Sequence, residues 1–246
     1  MKKVFLLTPL VFFLFSISSL AVQAETTLPG ISFSGAGNDS SMTVKLILLL
    51  TVLSVAPSIL LLMTSFTRIA IVLSFVRNAL GTQQMPPNQV IMGISLLLTF
   101  FIMGPTLQQV NEQALQPFFK GEISQSAAMD KASLPMKEFM AKQTRESDLK
   151  LFLDYSKKKN INSIADIPLT TLVPAFAISE LKTAFQMGFL IFIPFVIIDM
   201  IVASILMAMG MMMVPPSLIS LPFKILLFIL VDGWHLVVES LFVSFK

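Results

Sequence analysis

The chain has 246 residues, 55% hydrophobic and 13% charged, with 17 Lys+Arg, 14 Asp+Glu and a single His. So few charges exclude an ordinary soluble domain, in which about a quarter of residues are charged, and a formal net charge of +3 leaves no nucleic-acid footprint, so no nucleic-acid partner is expected. The chain has no Cys, which excludes disulfides, thiolate metal sites and Cys nucleophiles together.

Residues 1–24 read as a cleavable secretory signal. Lys2 and Lys3 form its charged start, residues 4–15 its apolar core, and Val22 and Ala24 the small residues ahead of a cut after Ala24. An uncleaved anchor helix is the alternative. Residues 25–41, with Pro29, Gly30, Gly35 and Gly37, read as a flexible leader.

Residues 42–105 form a first helical hairpin region. Its first apolar run, about 44–76, contains Pro57 and is expected to kink or break. Thr51, Ser54, Ser58 and Ser65 recur near helical spacing, a hydroxyl stripe that lets helices approach closely. A turn carrying Gly81, Pro86 and Pro87 follows, then a run over 90–103 closed by Gly104 and Pro105.

Residues 106–182 are a hydrophilic insert, with ten Lys/Arg (Lys120 to Lys182) against nine Asp/Glu (Glu112 to Glu180). Its many Leu, Lys, Glu and Met argue helix. Ser133 ahead of Pro135 predicts a helix start, and Lys157, Lys158 and Lys159 predict a solvated helix end. Phe139 and Phe152 lie on apolar helical patches of the insert. The insert reads either as a docking surface or as a simple solvated segment.

Residues 183–246 form a second hairpin region. A run over 187–208 is expected to be broken by Pro194 and carries Asp199, and a run over 218–245 contains Pro222, Lys224, Asp232, His235 and Glu239. The last three share one helix face. Between the runs lies MAMGMMMVPP, residues 207–216. Gly210 can end a helix and the pair Pro215 and Pro216 cannot continue one, so this is a turn tip. Such tips normally carry polar residues; this one carries Met209, Met211, Met212 and Met213, apolar and able to re-pack around different neighbours. That filling suits a surface facing copies of itself or lining a narrow hole that closes, or else a buried loop. Gly81 with Pro86–Pro87 and Gly210 with Pro215–Pro216 repeat at an offset of 129, suggesting two hairpins of one design around the insert.

Arg68, Asp199, Lys224 and Asp232 fall within or beside apolar runs. Each would cost roughly 2.5–3.5 kcal/mol facing lipid at mid-bilayer. They are therefore expected to be buried in protein, with pairings Arg68–Asp199 and Lys224–Asp232, within or between subunits. A chain of four short runs has little interior, so an oligomer is expected to supply it. The residues hold no nucleophile elbow, zinc-protease helix or phosphate loop, so the chain does not read as an enzyme, and no cofactor or resident metal is expected. Copper(I) on the Met cluster, and proton relay through Asp199 and Glu239 in a proton- or solute-coupled transporter, remain as alternatives. A scaffold in which the Met tip only packs is a third.

Several blocks carry a resemblance: residues 64–77 (TSFTRIAIVLSFVR) with 84–90 (QMPPNQV), 174–182 (PAFAISELK), 193–199 (IPFVIID), 211–216 (MMMVPP) and 221–224 (LPFK). In these the chain resembles the flagellar biosynthetic protein FliP family, components of the flagellar type III protein export gate. The resemblance implies an all-α, membrane-associated protein of helical hairpins with broken, proline-kinked helices. It implies a homo-oligomer, a pentamer in the usual description, that assembles with FliQ- and FliR-like gate proteins into a tapering helical channel. FlhA- and FlhB-like export proteins would be further partners. Such a complex sits at the bacterial inner membrane in the flagellar basal body, with much of it, the insert included, on the periplasmic side. A span count of four from hydropathy is therefore doubtful. Unfolded flagellar proteins would pass through a pore closed by a gasket of Met209, Met211, Met212 and Met213. Phe139, Phe152, Glu180 and Lys182 are expected to carry subunit contacts.

Overall fold

The computed structural model describes residues 50–245 apart from 52, 53, 55, 56, 59, 60, 83, 84, 157–162 and 212. The expectations for the signal and leader, for Gln83 and Gln84, for Lys157 to Lys159 and for Met212 fall outside the described residues. All regular structure among the described residues is helical.

The core is built on α1 (Phe66–Leu80). Its Ile69, Val72, Leu73 and Val76 recur at helical spacing and are fully buried. The backbone leaves the helix at Met63–Ser65, so the first apolar run breaks there, and Pro57 itself is helical. Gly81 ends α1 at φ 71°, where its N–H bonds the Asn78 carbonyl. Only a residue without Cβ takes this left-handed conformation freely.

The chain then doubles back as α2 (Asn88–Val110), with Pro87 at its N-cap. The expected stop at Gly104 and Pro105 does not occur. The helix runs through Pro105 into a π-helical turn, Asn111–Leu115, and on into α3 (Gln116–Phe119). The π turn lies just before Pro117, which cannot donate the next α-helical bond. In the insert, α4 (Gln125–Gln143) starts at Ser124, whose hydroxyl accepts the Ala127 N–H, and not at Ser133; Pro135 is inside the helix. Helix α5 (Glu146–Ser156) follows.

The longest element is α6 (Leu169–Ala208), 40 residues, or roughly 60 Å at 1.5 Å per residue. It passes both Pro174 and Pro194 without a break. The boundaries expected at residues 105 and 182 thus fall inside α2 and α6. After the Met tip come α7 (Pro216–Leu230) and α8 (Gly233–Val243), bent by 62° to one another. The bend is made by Asp232 at φ 49°, a conformation that Asp tolerates better than most side chains.

Helices α1 and α6 run parallel and close. Phe75 meets Phe185 edge-on, with ring centroids 5.6 Å apart, and a Cβ on Gly188 would lie 2.5 Å from Phe75 Cγ. Around this contact one apolar cluster joins α1, α6, α7 and α8 through Leu73, Ala184, Phe228 and Leu241. A second cluster, Met140, Ile167, Leu172 and Phe176, fastens α4 to the start of α6.

Among the described residues, two stretches are long and apolar enough to cross a membrane, Asn88–Phe119 and Leu169–Ala208, or three if the bent pair α7 and α8 counts as one. Their outer faces expose Leu97, Phe101, Phe189 and Leu190, each about two-thirds or more accessible. A single soluble chain rarely carries so large an apolar face. The protein is all-α and membrane-associated.

Candidate functional site: the methionine tip and its two internal ion pairs

The tip is made by a glycine turn. Helix α6 ends at Met209; Gly210 takes φ 75°, its N–H bonds the Met207 carbonyl and the Met211 N–H bonds the Leu206 carbonyl. These two hydrogen bonds close the helix end around the left-handed residue. Pro215 then sits at the N-cap of α7 and Pro216 at its first position, where a missing N–H costs nothing. Gly81 with Pro86 and Pro87 occupies the corresponding place between α1 and α2. The side chains of Met207, Met209, Met211 and Met213 are exposed, Met213 at 96%. No charged residue lies between Asp199 and Lys224.

Below the tip an ion pair spans the hairpin. Lys224 Nζ on α7 lies 2.6 Å from Asp199 Oδ2 on α6 and donates to the Ala79 carbonyl at 3.2 Å. Ser220 donates to the other carboxylate oxygen. The Lys224 side chain is buried; that of Asp199 is 37% exposed. Because Ala79 is the penultimate residue of α1, the lysine also braces the second hairpin against the end of the first. The expected Lys224–Asp232 pair is not formed. Asp232 lies at the bend, exposed like His235 and Glu239 after it, and is not a buried charge in the single chain.

The second pair is deeper. Arg68, 2% exposed, donates from Nε to Glu180 Oε2 at 2.9 Å and from its second guanidinium nitrogen to Glu180 Oε1. It also reaches the Ser244 carbonyl at 2.8 Å, the Ser244 hydroxyl at 3.0 Å and Gln143 Oε1 at 3.0 Å. All five guanidinium donors are used. The Phe245 ring covers the guanidinium, with Cζ 3.9 Å from the centroid. The expected Arg68–Asp199 pairing is therefore wrong. Arg68 stands on the first turn of α1, beside the start of α6, whereas Asp199 is 19 residues, roughly 28 Å, further along α6 than Glu180.

Glu180 is fully buried inside the chain and offers no surface to a neighbouring subunit. Phe139 already packs within the chain. It is half-buried, edge-on to Phe176 at 6.0 Å and stacked on Phe245 at 6.4 Å. Phe152 is half-buried on α5, and Lys182 is exposed on α6.

Residues 49–241 match the model of the FliP family. The chain belongs to the FliP family. It is 67% identical to the flagellar biosynthetic protein FliP of Bacillus subtilis (strain 168) over 205 residues, 83% of this chain and 93% of that protein. It is 53% identical to that of Pectobacterium carotovorum over 229 residues, 92% of this chain and 89% of the relative. It is 52% identical to that of Aquifex aeolicus (strain VF5) over 206 residues, 83% and 86% respectively.

In this FliP family member several residues matter that sequence reasoning passed over. Gln143 and Ser244 complete the shell of Arg68, and Gln143 also donates to the Phe245 carbonyl at 3.2 Å. Asp148 anchors α5 to α6: its Oδ2 accepts the Ser179 hydroxyl and an Arg145 guanidinium nitrogen, each at 2.6 Å. The Ser179 hydroxyl in turn accepts the Arg145 backbone N–H at 3.1 Å. The bond from Ser179, with Arg145 beside it, holds the Asp148 carboxyl below its ordinary value. The adjacent pair Ser179 and Glu180, polar within an apolar helix, was the one available signal for both networks. Gln143 and Ser244 had none.

Proposed function

We propose that this chain is a core channel-forming subunit of the flagellar protein export gate, passing unfolded flagellar proteins through a pore closed by the methionine tip. Membership of a family whose relatives are named for flagellar biosynthesis supports the flagellar role. The observation that carries the channel reading is the exposed cluster of Met207, Met209, Met211 and Met213 on a charge-free hairpin tip. Thioethers form a deformable apolar surface with no directional bonds to break. A ring of such tips seals against ions and yields to a chain of any sequence. The exposed apolar faces of α2 and α6 are the surfaces that companion subunits and lipid would cover. On this reading the protein acts as a homo-oligomer, a pentamer, with FliQ- and FliR-like proteins and with FlhA- and FlhB-like export proteins, at the inner membrane with much of the complex on the periplasmic side. The chain is a conduit and not an enzyme. The transporter reading through Asp199 and Glu239 has less support, since Asp199 is already engaged by Lys224 and Ser220.

The test is ion conductance across the inner membrane of cells making the complete complex, with and without deletion of residues 211–213. A leak on deletion supports the seal. No leak from a complex shown to be intact overturns it.

A further inference from the structure

We infer that the methionine tip is a site of reversible oxidation, and that sulfoxide formation there loosens the closure. The inference rests on the gate reading above and extends it to regulation of the same tip. Among the described methionines, Met103 and Met140 are 1% and 0% exposed and sit in packed interior, while Met207, Met209, Met211 and Met213 are 59%, 66%, 42% and 96% exposed; Met85, Met92, Met129 and Met200 are exposed too, but singly along the chain and not gathered in one turn. Four accessible thioethers within seven residues, with no charge between Asp199 and Lys224, concentrate the oxidisable sulfur of an apolar surface in one turn.

The reaction is a two-electron oxygen transfer. A thioether lone pair attacks one oxygen of hydrogen peroxide, the O–O bond breaks, the sulfur becomes a sulfoxide, and the other oxygen leaves as water after proton transfer. A reductase of the methionine sulfoxide class reverses it: two thiols give up their hydrogens, the sulfoxide oxygen leaves as water, and a disulfide forms. The product is polar and accepts hydrogen bonds. With no charged side chain between Asp199 and Lys224 to engage it, the new oxygen accepts hydrogen bonds from water, the one thing an apolar closure must exclude. At Met129, 74% exposed on α4 and remote in sequence from the tip, the same oxidation changes nothing at the closure.

The experiment uses the intact complex in membrane vesicles, treated with graded hydrogen peroxide. Peptide mass analysis reads the one-oxygen gain at each methionine, and ion flux is read in parallel. The expected result is Met213 oxidising severalfold faster than Met103 and Met140, with flux rising in step with sulfoxide at the tip and falling after treatment with a sulfoxide reductase. M129L leaves the flux response intact. M213L gives a smaller peroxide-induced rise than wild type, each compared with its own untreated sample. Tip oxidation without a rise in flux overturns the inference, as does a rise that tracks Met129. Failure of the gate reading is distinguishable: deletion of residues 211–213 then produces no leak in the same vesicles, with or without peroxide.

Discussion

Arg68 and Glu180 form a fully buried ion pair across 112 residues of sequence, and the remaining guanidinium donors of Arg68 go to Gln143 and Ser244. One side chain thus gathers α1, α4, α6 and the segment after α8.

Removing one partner from a buried, hydrogen-bonded pair leaves an uncompensated charge and costs about 3–5 kcal/mol. Arg68→Ala and Glu180→Gln are each expected to destabilise strongly, read as lowered thermal resistance of the detergent-purified protein. The double apolar replacement R68M/E180L should be less damaging than the sum of the two singles. Strict additivity would show that the pair is not coupled.

Asp199 and Lys224 should respond to charge exchange. D199K and K224D each leave two like charges within contact distance, whereas D199K/K224D restores an opposite pair. Recovery is expected to be partial, because an aspartate at 224 cannot donate to the Ala79 carbonyl. The combination R68D/D199K should give no recovery, since Arg68 on α1 stands beside Glu180, roughly 28 Å along α6 from Asp199. Assembly of the complex on native gels reads both, and equal outcomes for the two doubles would contradict the observed pairing.

Gly188 admits Phe75 where a side chain cannot fit. Gly188→Ala is expected to force α1 and α6 apart and destabilise by about 1–3 kcal/mol, the usual range for overpacking. Adding Phe75→Leu should recover much of the loss by removing the ring. Thermal unfolding of the two variants decides it.

Asp148 sets an acid-side dependence. Its carboxyl is held below the ordinary value, chiefly by the Ser179 hydroxyl and then by Arg145. A group lowered on folding contributes stability above its unfolded pKa, about 3.9, and loses that contribution as pH falls through the folded value. Ser179→Ala should raise the folded value and move the acid loss of α5–α6 docking to higher pH. Limited proteolysis of the 146–156 segment across an acid series measures the shift, and an unchanged profile would assign the effect elsewhere.

Much of this was legible in the chain. The helical class, the two glycine–proline turns and the methionine filling between Leu206 and Val214 are local properties, set by backbone sterics and residue chemistry within a few positions. Element ends were less legible. Pro105 and Pro194 looked like stops, yet α2 and α6 run through them, because packing on both sides outweighs one missing hydrogen bond. Ser133 looked like a cap, yet Ser124 is the residue whose hydroxyl meets a free N–H.

The sequence by itself determined that charges sit among apolar helices and must find partners. Only the tertiary structure decided which. Arg68 and Asp199 hold similar places ahead of their turns, but pairing depends on which turn of α6 lies beside which turn of α1. The parallel register of those helices, keyed by Gly188 against Phe75, puts Glu180 beside Arg68, while the hairpin of α6 and α7 brings Lys224 to Asp199. Asp232 is left outside because it stands at the 62° bend between α7 and α8. Register is a property of two surfaces meeting, and no single stretch of sequence contains it.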